Sequence, residues 1–295
     1  MSVPVVGGQA LIEGVMMQNG GRVAIAVRRV EDGEIIVQDL PARGRFTRAS
    51  RIPLLRGLFR LYDMLSLGIR ALNLSASIAF PEEDQPGTIG STLTFLAAIL
   101  IAVGGFIVLP LYLASIIPGL HEGNSIILNL VEGAIRISFF LLYLVGISRM
   151  KEIRRVFQYH GAEHKTVYAY EAGEDLTIMN AQKHTTLHPR CGTAFLVIVL
   201  IISILIFSLA GTPALWVRIL LRLLLLPVVA GVSYELLRFS GRNYDRLWVK
   251  VLIKPGLWMQ RLTTAEPSDD MVEVAIASLK RVTLPPPEQP APPSL

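Results

Sequence analysis

Histidine spacing is the most informative chemical feature of this 295-residue chain. The chain contains five histidines, and four of them fall within one short segment: His160, His164, His184 and His188. Glu163 lies inside the first pair, and Cys191, the only cysteine of the chain, follows the second pair. Imidazoles, carboxylates and thiolates are the groups with which proteins bind zinc and related metals. The segment therefore predicts a metal site.

The first pair of histidines has the spacing H-x-x-E-H, from His160 to His164. On a helix, residues i, i+3 and i+4 lie on one face, so the two imidazoles and the carboxylate of Glu163 would converge. Two neutral imidazoles one turn apart can bind one Zn²⁺, and a carboxylate beside them can accept a proton from water on the metal. Inverzincin peptidases have the same order of residues, but a motif this short does not by itself predict that activity.

A catalytic zinc site needs a third protein ligand and leaves one position open for water. We expect His160 and His164 to be joined by either His188 or Cys191, with Glu163 as the general base. Three further residues are candidates to orient an imidazole or to replace a ligand: Glu13, Glu171 and His184. The alternative is that these polar groups form a hydrogen-bonded plug where helices meet the lipid headgroups, without a metal.

The composition predicts a membrane protein. Hydrophobic residues make up 52% of the chain and charged residues only 17%, against about 25% in soluble domains. Four apolar segments come close to or exceed the about 20 residues that cross a bilayer: residues 91–117, 126–148, 193–210 and 214–237. A short connection joins the first segment to the second, and another joins the third to the fourth. The four segments are therefore predicted to form two helical hairpins.

The distribution of Lys and Arg predicts the orientation of these segments. Basic residues flank the histidine segment and follow the fourth apolar segment, whereas the hairpin turns at residues 118–124 and 211–213 contain none. Both termini and the histidines are therefore expected in the cytoplasm, with the protein in the cell (inner) membrane and Cys191 reduced. The net charge of +5 is assigned to surfaces that face the lipid bilayer, with no role for nucleic acid. The sequence does not specify an oligomeric state.

The predicted fold class is a mainly α, polytopic membrane protein with a small β-hairpin and an amphipathic helix on the cytoplasmic side. Two β-rich runs, residues 23–30 and 34–40, meet at Asp32-Gly33, which favours a hairpin turn. A helical apolar pattern then runs from Leu54 to Leu72, either in the membrane interface or packed on the hairpin.

The expected organisation has six regions: residues 1–90 (N-terminal cytoplasmic β-hairpin and interfacial helix), 91–148 (first transmembrane hairpin), 149–192 (cytoplasmic histidine-rich metal-site segment), 193–237 (second transmembrane hairpin), 238–284 (C-terminal cytoplasmic region) and 285–295 (proline-rich, disordered tail).

Two other groups of residues have open interpretations. The glycine-rich residues 7–17 are expected to form a packed structural loop, or else to bring their glutamate to the metal centre. Glu132 and Arg136 lie one turn apart within the second apolar segment, where ionisable groups are costly and are either functional or mutually neutralising. Arg218 and Arg222 of the fourth segment either pair with Glu132 or extend towards the membrane surface.

Three motifs in the same order resemble the YqhQ-like family: GGQALIEGVMM (7–17), YHGAEHKTVYAYE (159–171) and HPRCGTAFL (188–196). Members of that family are bacterial membrane proteins of unknown function, described as predicted metal-dependent enzymes. The resemblance covers nearly the whole chain, including the C-terminal EVAIASLKRV, and implies roles for seven matching residues: Glu13, His160, Glu163, His164, Glu171, His188 and Cys191. The family commonly has Arg-Gly-Pro after the first motif, whereas this chain has Gln18-Asn19-Gly20. The resemblance implies a metal site but no particular substrate.

Together these observations predict a membrane hydrolase that depends on a divalent metal ion, with zinc as the expected metal. Its substrate is expected to be lipid-linked or membrane-anchored, because the site would lie at the cytoplasmic membrane face. The alternative is a non-catalytic membrane scaffold or transporter, with a structural metal or a polar plug. Ligand number distinguishes the two, because catalytic zinc keeps one open position and structural zinc has four protein ligands.

Overall fold

The computed structural model describes residues 6–41, 52–81, 88–118, 125–209, 211, 214–243 and 246–284. Within these residues, the strands are β1 (Val6–Leu11), β2 (Gly14–Asn19), β3 (Arg22–Arg28) and β4 (Ile35–Leu40). The helices are α1 (Leu55–Ala79), α2 (Thr88–Val103), α3 (Leu109–Ser115), α4 (Ser125–Ile147), α5 (Lys151–Glu171), α6 (Ile178–Gln182), α7 (Thr193–Leu209), α8 (Leu215–Arg242), α9 (Leu247–Thr263) and α10 (Asp269–Thr283). A π-helical turn, Gly104–Val108, joins α2 to α3. The tail predicted at 285–295 and most of the turn at 118–124 lie outside the described residues.

The N-terminal strands form an antiparallel sheet in the order β1-β2-β3-β4. The predicted hairpin is confirmed as β3 and β4, with Gly33 between them at a φ of 76°, a conformation that glycine adopts readily. The packed loop predicted for residues 7–17 is wrong, because these residues form a second hairpin, β1 and β2, that turns at Ile12-Glu13. Glycine is depleted in strands, so the composition of this segment concealed its β structure.

Helices cover both faces of the sheet. On one face, Val15 and Ala24 pack in a buried cluster with Tyr159 of α5 and Val274 of α10. The other face packs on α1, which buries Leu67 against the strands. The side of α1 away from the sheet exposes three large residues: Tyr62, Met64 and Leu65. The helix predicted after residue 54 therefore packs on the sheet and also presents an apolar surface.

Three stretches of helix are long and apolar enough to cross a membrane, among the described residues: Thr92–Ser115, Ile126–Ile147 and Leu215–Ser240. They correspond to the first, second and fourth predicted segments. The third segment forms α7, which has 17 residues and contains the shorter apolar stretch Phe195–Leu209. At a rise of 1.5 Å per residue, such a helix is shorter than the about 30 Å hydrocarbon core. The prediction of four comparable spans is therefore reduced to three long apolar helices and one short one.

A buried charge network connects α4 to α8. Glu132 accepts hydrogen bonds from Arg136, at 2.6 Å, and from Arg218, at 3.3 Å, and it also pairs with Arg222. Arg136 donates a further hydrogen bond to the carbonyl of Phe106 in the π-helical turn, at 2.9 Å. Of the two interpretations of Arg218 and Arg222, the structure therefore shows pairing with Glu132.

Candidate metal centre

Helix α5 places the H-x-x-E-H residues between the sheet and the C-terminal segment. It ends at Glu171, shortly before Gly173, whose φ of 72° ends helices readily. On one side, α5 buries Tyr159 in the sheet cluster. On another side, Gly161 lies so close to the carbonyl oxygen of Ala265 that a Cβ atom at this position would overlap it. The glycine between His160 and Glu163 therefore permits close packing of the chain that follows α9.

Three candidate ligand atoms meet beside α5. The ligand atoms of His160, His164 and Cys191 all lie within 4.8 Å of one another. His160 Nε2 is 3.2 Å from Cys191 Sγ, and the two imidazole rings have centroids 4.4 Å apart. Atoms this close can share one ion, because zinc binds nitrogen at about 2.0 Å and sulfur at about 2.3 Å. Among the predicted third ligands, the structure places Cys191 in this group.

Backbone carbonyls fix the protonation of both imidazoles. His160 Nδ1 lies 2.8 Å from the carbonyl oxygen of Thr263, and His164 Nδ1 hydrogen-bonds the carbonyl oxygen of Thr186. A carbonyl oxygen only accepts hydrogen bonds, so each Nδ1 carries the proton and each Nε2 keeps its lone pair for a ligand or a donor. His164 Nε2 is buried and has no hydrogen-bond partner among the described residues. The same arrangement is typical of metal-binding histidines, so these residues fit a metal ion.

Glu163 lies beside the two imidazoles. Its Oε2 atom is 3.9 Å from His160 Nε2 and 4.0 Å from His164 Nε2. The residue is only 7% exposed, and this burial raises the pKa of its carboxyl group, with nearby His160 and His188 acting in the opposite direction. Its carboxylate faces the same atoms that would bind a metal, at a distance that allows it to act on a group bound there.

His188 lies next to this cluster but is held by other partners. Its Nε2 is 3.4 Å from Glu171 Oε2, and its Nδ1 accepts a hydrogen bond from the backbone N–H of Arg190, at 3.3 Å. Glu171 also accepts a hydrogen bond from the Arg190 side chain, at 2.6 Å. The nearby His188 ring is the main cause of a lowered pKa of the Glu171 carboxyl group. The His188 ring is 5.6 Å from that of His164.

Two further predicted residues lie outside the three-atom group. His184 Nε2 is 3.2 Å from Glu174, and its ring stacks on Tyr168 at 5.8 Å. Glu13 accepts a hydrogen bond of 2.5 Å from Arg155, and Tyr159 donates a second one to it at 3.2 Å. The structure therefore does not bring Glu13 into the three-atom group. Its carboxylate instead links the turn between β1 and β2 to α5 through these two hydrogen bonds.

Sequence reasoning missed the contribution of α9. Gln260 is fully buried and bonds the backbone of His188 twice: it accepts from the N–H at 2.8 Å and donates to the carbonyl at 2.9 Å. An isolated amide in the apolar stretch LWMQRL was a detectable signal for such a contact. Thr263 acts through its carbonyl oxygen, for which the side-chain sequence gives no signal. Helix α9 therefore positions both the His160 ring and the backbone of His188.

Comparisons with known proteins agree with the resemblance of the motifs. A family model described as "Protein of unknown function (DUF1385)" matches residues 52–284. The chain belongs to this family. A relative, the "Uncharacterized protein YqhQ" of Bacillus subtilis (strain 168), is 35% identical in an alignment that covers 95% of this chain and 92% of that protein. The predicted membership of the YqhQ-like family is thus confirmed. No solved structure matches the chain.

Proposed function

We propose that this protein is a zinc-dependent hydrolase that acts at the cytoplasmic face of the membrane. One observation carries the proposal: Nε2 of His160 and of His164 converge with Cys191 Sγ, while both Nδ1 atoms are bound to backbone carbonyls. Zinc is the metal that best suits such a mixture of imidazole and thiolate ligands. Three protein ligands leave a fourth tetrahedral position for water or substrate, as in catalytic zinc sites.

The roles of the surrounding residues follow from their positions. A bound zinc ion supplies Lewis acidity and lowers the pKa of water. Glu163 accepts the proton of the attacking water at Oε2 and returns it to the leaving group. Its Oε2 atom lies about 4 Å from both imidazole nitrogens, within reach of a water that binds beside them. Because His164 is only 1% exposed, the chain also excludes bulk water from one side of the site.

The position of the site in the chain supports a membrane-associated substrate. Helix α5 begins shortly after the long apolar helix α4 ends at Ile147, and α7 begins at Thr193, directly after the Cys191 arm. Both parts of the site, helix α5 and the segment that contains Cys191, are therefore attached directly to the ends of apolar helices. The Lys and Arg residues around the site favour the cytoplasmic side. A lipid-linked or membrane-anchored substrate would reach a site in this position.

A non-catalytic role remains the second candidate, and one distance favours it. Glu163 Oε2 lies about 4 Å from two ligand nitrogens, so a small movement would make it a fourth ligand. Four protein ligands would close the site and give a structural metal. In that case the buried network around Glu132 would belong to a scaffold or transporter.

Metal content tests the site itself. We expect purified wild-type protein to contain about one zinc ion per chain by elemental analysis, and His164→Ala and Cys191→Ser to lose most of it. His184→Ala is the matched control, because this histidine pairs with Glu174 outside the three-atom group. Equal zinc contents in wild type and His164→Ala would refute the proposed site.

Hydrolysis of chromogenic probes tests catalysis. We expect zinc-loaded protein in lipid nanodiscs to hydrolyse p-nitrophenyl esters or bis(p-nitrophenyl) phosphate. Glu163→Gln should retain zinc and lose about 10²- to 10⁴-fold in rate, the usual contribution of a general base. Loss of zinc from Glu163→Gln would instead show a fourth ligand and favour the structural role. A zinc-loaded wild type without activity on either probe would contradict the hydrolase proposal.

A further inference from the structure

Strand β1 forms one edge of the sheet. β2 pairs with one of its sides, and no described strand pairs with the other. Gly7 and Gly8 are exposed there, and no described atom lies within 4 Å of the position that a Cβ of Gly7 would occupy. Edge strands usually carry charges or proline that prevent pairing with another chain, whereas β1, with the sequence VGGQAL, carries neither. Among the described residues, nothing therefore occupies this edge, and it can accept an additional strand.

The register shows which backbone groups point outwards. In antiparallel sheets, successive residues of a strand direct their N–H and C=O groups to alternate sides. Arg28 donates its N–H to the carbonyl of Glu13, at 2.8 Å, which fixes the alternation through β2. The backbone groups of Gly7, Gln9 and Leu11, which pair with Gln18, Met16 and Gly14, therefore face β2. Gly8 and Ala10 direct their N–H and C=O groups to the free edge.

The same strand lies against the carboxylate of the candidate site. A Cβ atom on Gly8 would be 2.6 Å from Glu163 Cγ and 2.7 Å from its Oε1. The other oxygen of this carboxylate, Oε2, is the one that faces His160 and His164. Glu163 thus lies between the edge strand and the metal-binding nitrogens. A strand added to β1 at the usual spacing of about 4.8 Å would run beside this carboxylate.

We propose that the free edge of β1 binds the substrate, and that this substrate is a polypeptide in extended conformation, added to the sheet as a fifth strand. The alternating donors and acceptors of Gly8 and Ala10 match a peptide backbone, which adds to exposed sheet edges through main-chain hydrogen bonds. The proposal rests on the proposed function and specifies its substrate class. It also explains Gly8, because a side chain at this position would displace Glu163.

The reaction is the hydrolysis of a peptide bond held beside Glu163. A bond forms between the oxygen of water and the peptide carbonyl carbon, and the bond between that carbon and the amide nitrogen breaks. One proton of the water passes through Glu163 to the leaving amine, and the other remains on the new carboxylic acid. The products are two shorter peptides, and no further reactant is needed.

Hydrogen exchange measures binding independently of catalysis. Fluorescein-labelled β-casein, an unfolded polypeptide, is added to zinc-loaded Glu163→Gln protein in nanodiscs, and amide exchange is followed by mass spectrometry. We expect casein to protect the amides of Gly8 and Ala10, which face the unpaired side of β1 in the part of the chain that the structure describes. Protection that grows with protein concentration in the absence of casein would show that a second copy occupies the edge, which would overturn the proposal.

A pair of proline variants tests the edge during turnover. Ala10→Pro removes an outward N–H from β1, and Val37→Pro removes the equivalent group from β4, the opposite edge of the sheet. Proline is tolerated on edge strands. We expect the ratio of casein cleavage to ester hydrolysis to fall about fivefold in Ala10→Pro, the effect of one hydrogen bond, and to stay unchanged in Val37→Pro. Equal ratios in the two variants would overturn the proposal.

The two readouts separate this proposal from the proposed function. Ester hydrolysis that depends on Glu163, without casein protection of β1, would overturn the polypeptide substrate and leave the hydrolase standing. Protection of β1 without hydrolysis of casein or ester would overturn the hydrolase, and with it the substrate assignment, although the edge would still bind peptide.

Discussion

Replacing Gly8 by alanine should separate catalysis from metal binding. The new Cβ would lie 2.6 Å from Glu163 Cγ, whereas ordinary contacts begin near 3.4 Å, so the carboxylate must withdraw by about 0.8 Å. Displacements of about 1 Å at a reacting group cost about 10²-fold in rate. We therefore expect Gly8→Ala to hydrolyse the p-nitrophenyl ester about 100-fold more slowly. Gly7→Ala is the matched control, because no described atom lies within 4 Å of its added Cβ.

Zinc content and stability should stay close to wild type in Gly8→Ala. The added methyl group meets Glu163 and none of the three ligand atoms. Alanine is favoured over glycine in strands by up to about 1 kcal/mol, which offsets part of the cost of moving a flexible side chain. Elemental analysis and thermal unfolding in the same detergent check both points. A wild-type rate in Gly8→Ala would refute the assignment of Glu163, and loss of zinc would show that Glu163 binds the ion.

Three further predictions concern packing and topology. Gly161→Ala should lower the free energy of unfolding by about 1–3 kcal/mol, because its Cβ overlaps the carbonyl of the α9–α10 linker. Gly146→Ala, with nothing described within 4 Å, should leave it unchanged or raise it, because alanine is favoured over glycine in a helix. Equal unfolding midpoints of the two variants would contradict this packing. Gln260→Ala leaves two buried backbone groups without partners and should cost about 2–3 kcal/mol in chemical denaturation; a cost below about 0.5 kcal/mol would disprove it. Reporter fusions after Gly173 should be active in the cytoplasm and fusions after Gly211 in the periplasm, and the reverse result would invert the proposed orientation.

Local geometry explains what the sequence could predict about the site. His160, Glu163 and His164 lie close together because they occupy one helical face, and helix spacing is a property of the sequence. The choice between Cys191 and His188 was not predictable, because it depends on how the chain from residue 172 to 192 folds back. In the structure, His188 turns towards Glu171, which leaves Cys191 next to the imidazoles.

Similar limits apply to the fold. Long apolar helices and the β3–β4 hairpin were predictable, since apolar length and turn residues are local signals. The β1–β2 hairpin was missed because its glycines have low strand propensity, and its stability comes from helices distant in sequence that pack on the sheet. The position of Glu13 depends on Arg155, which lies on α5, and no local pattern relates the two.

Two glycines show how the protein holds its candidate metal-binding helix. Gly8 allows β1 to lie directly on Glu163, and Gly161 allows the linker after α9 to lie directly on α5 beside His160. One contact comes from the start of the chain and the other from its C-terminal third. The linker follows Thr263, whose carbonyl orients the His160 ring. The same helix is therefore fixed from two sides by backbone atoms, which constrain the carboxylate and the imidazole more tightly than mobile side chains would. Such rigid support is what a site needs to keep its reacting groups aligned, and it explains why α5 carries a glycine between its first histidine and its glutamate despite the cost of glycine in a helix.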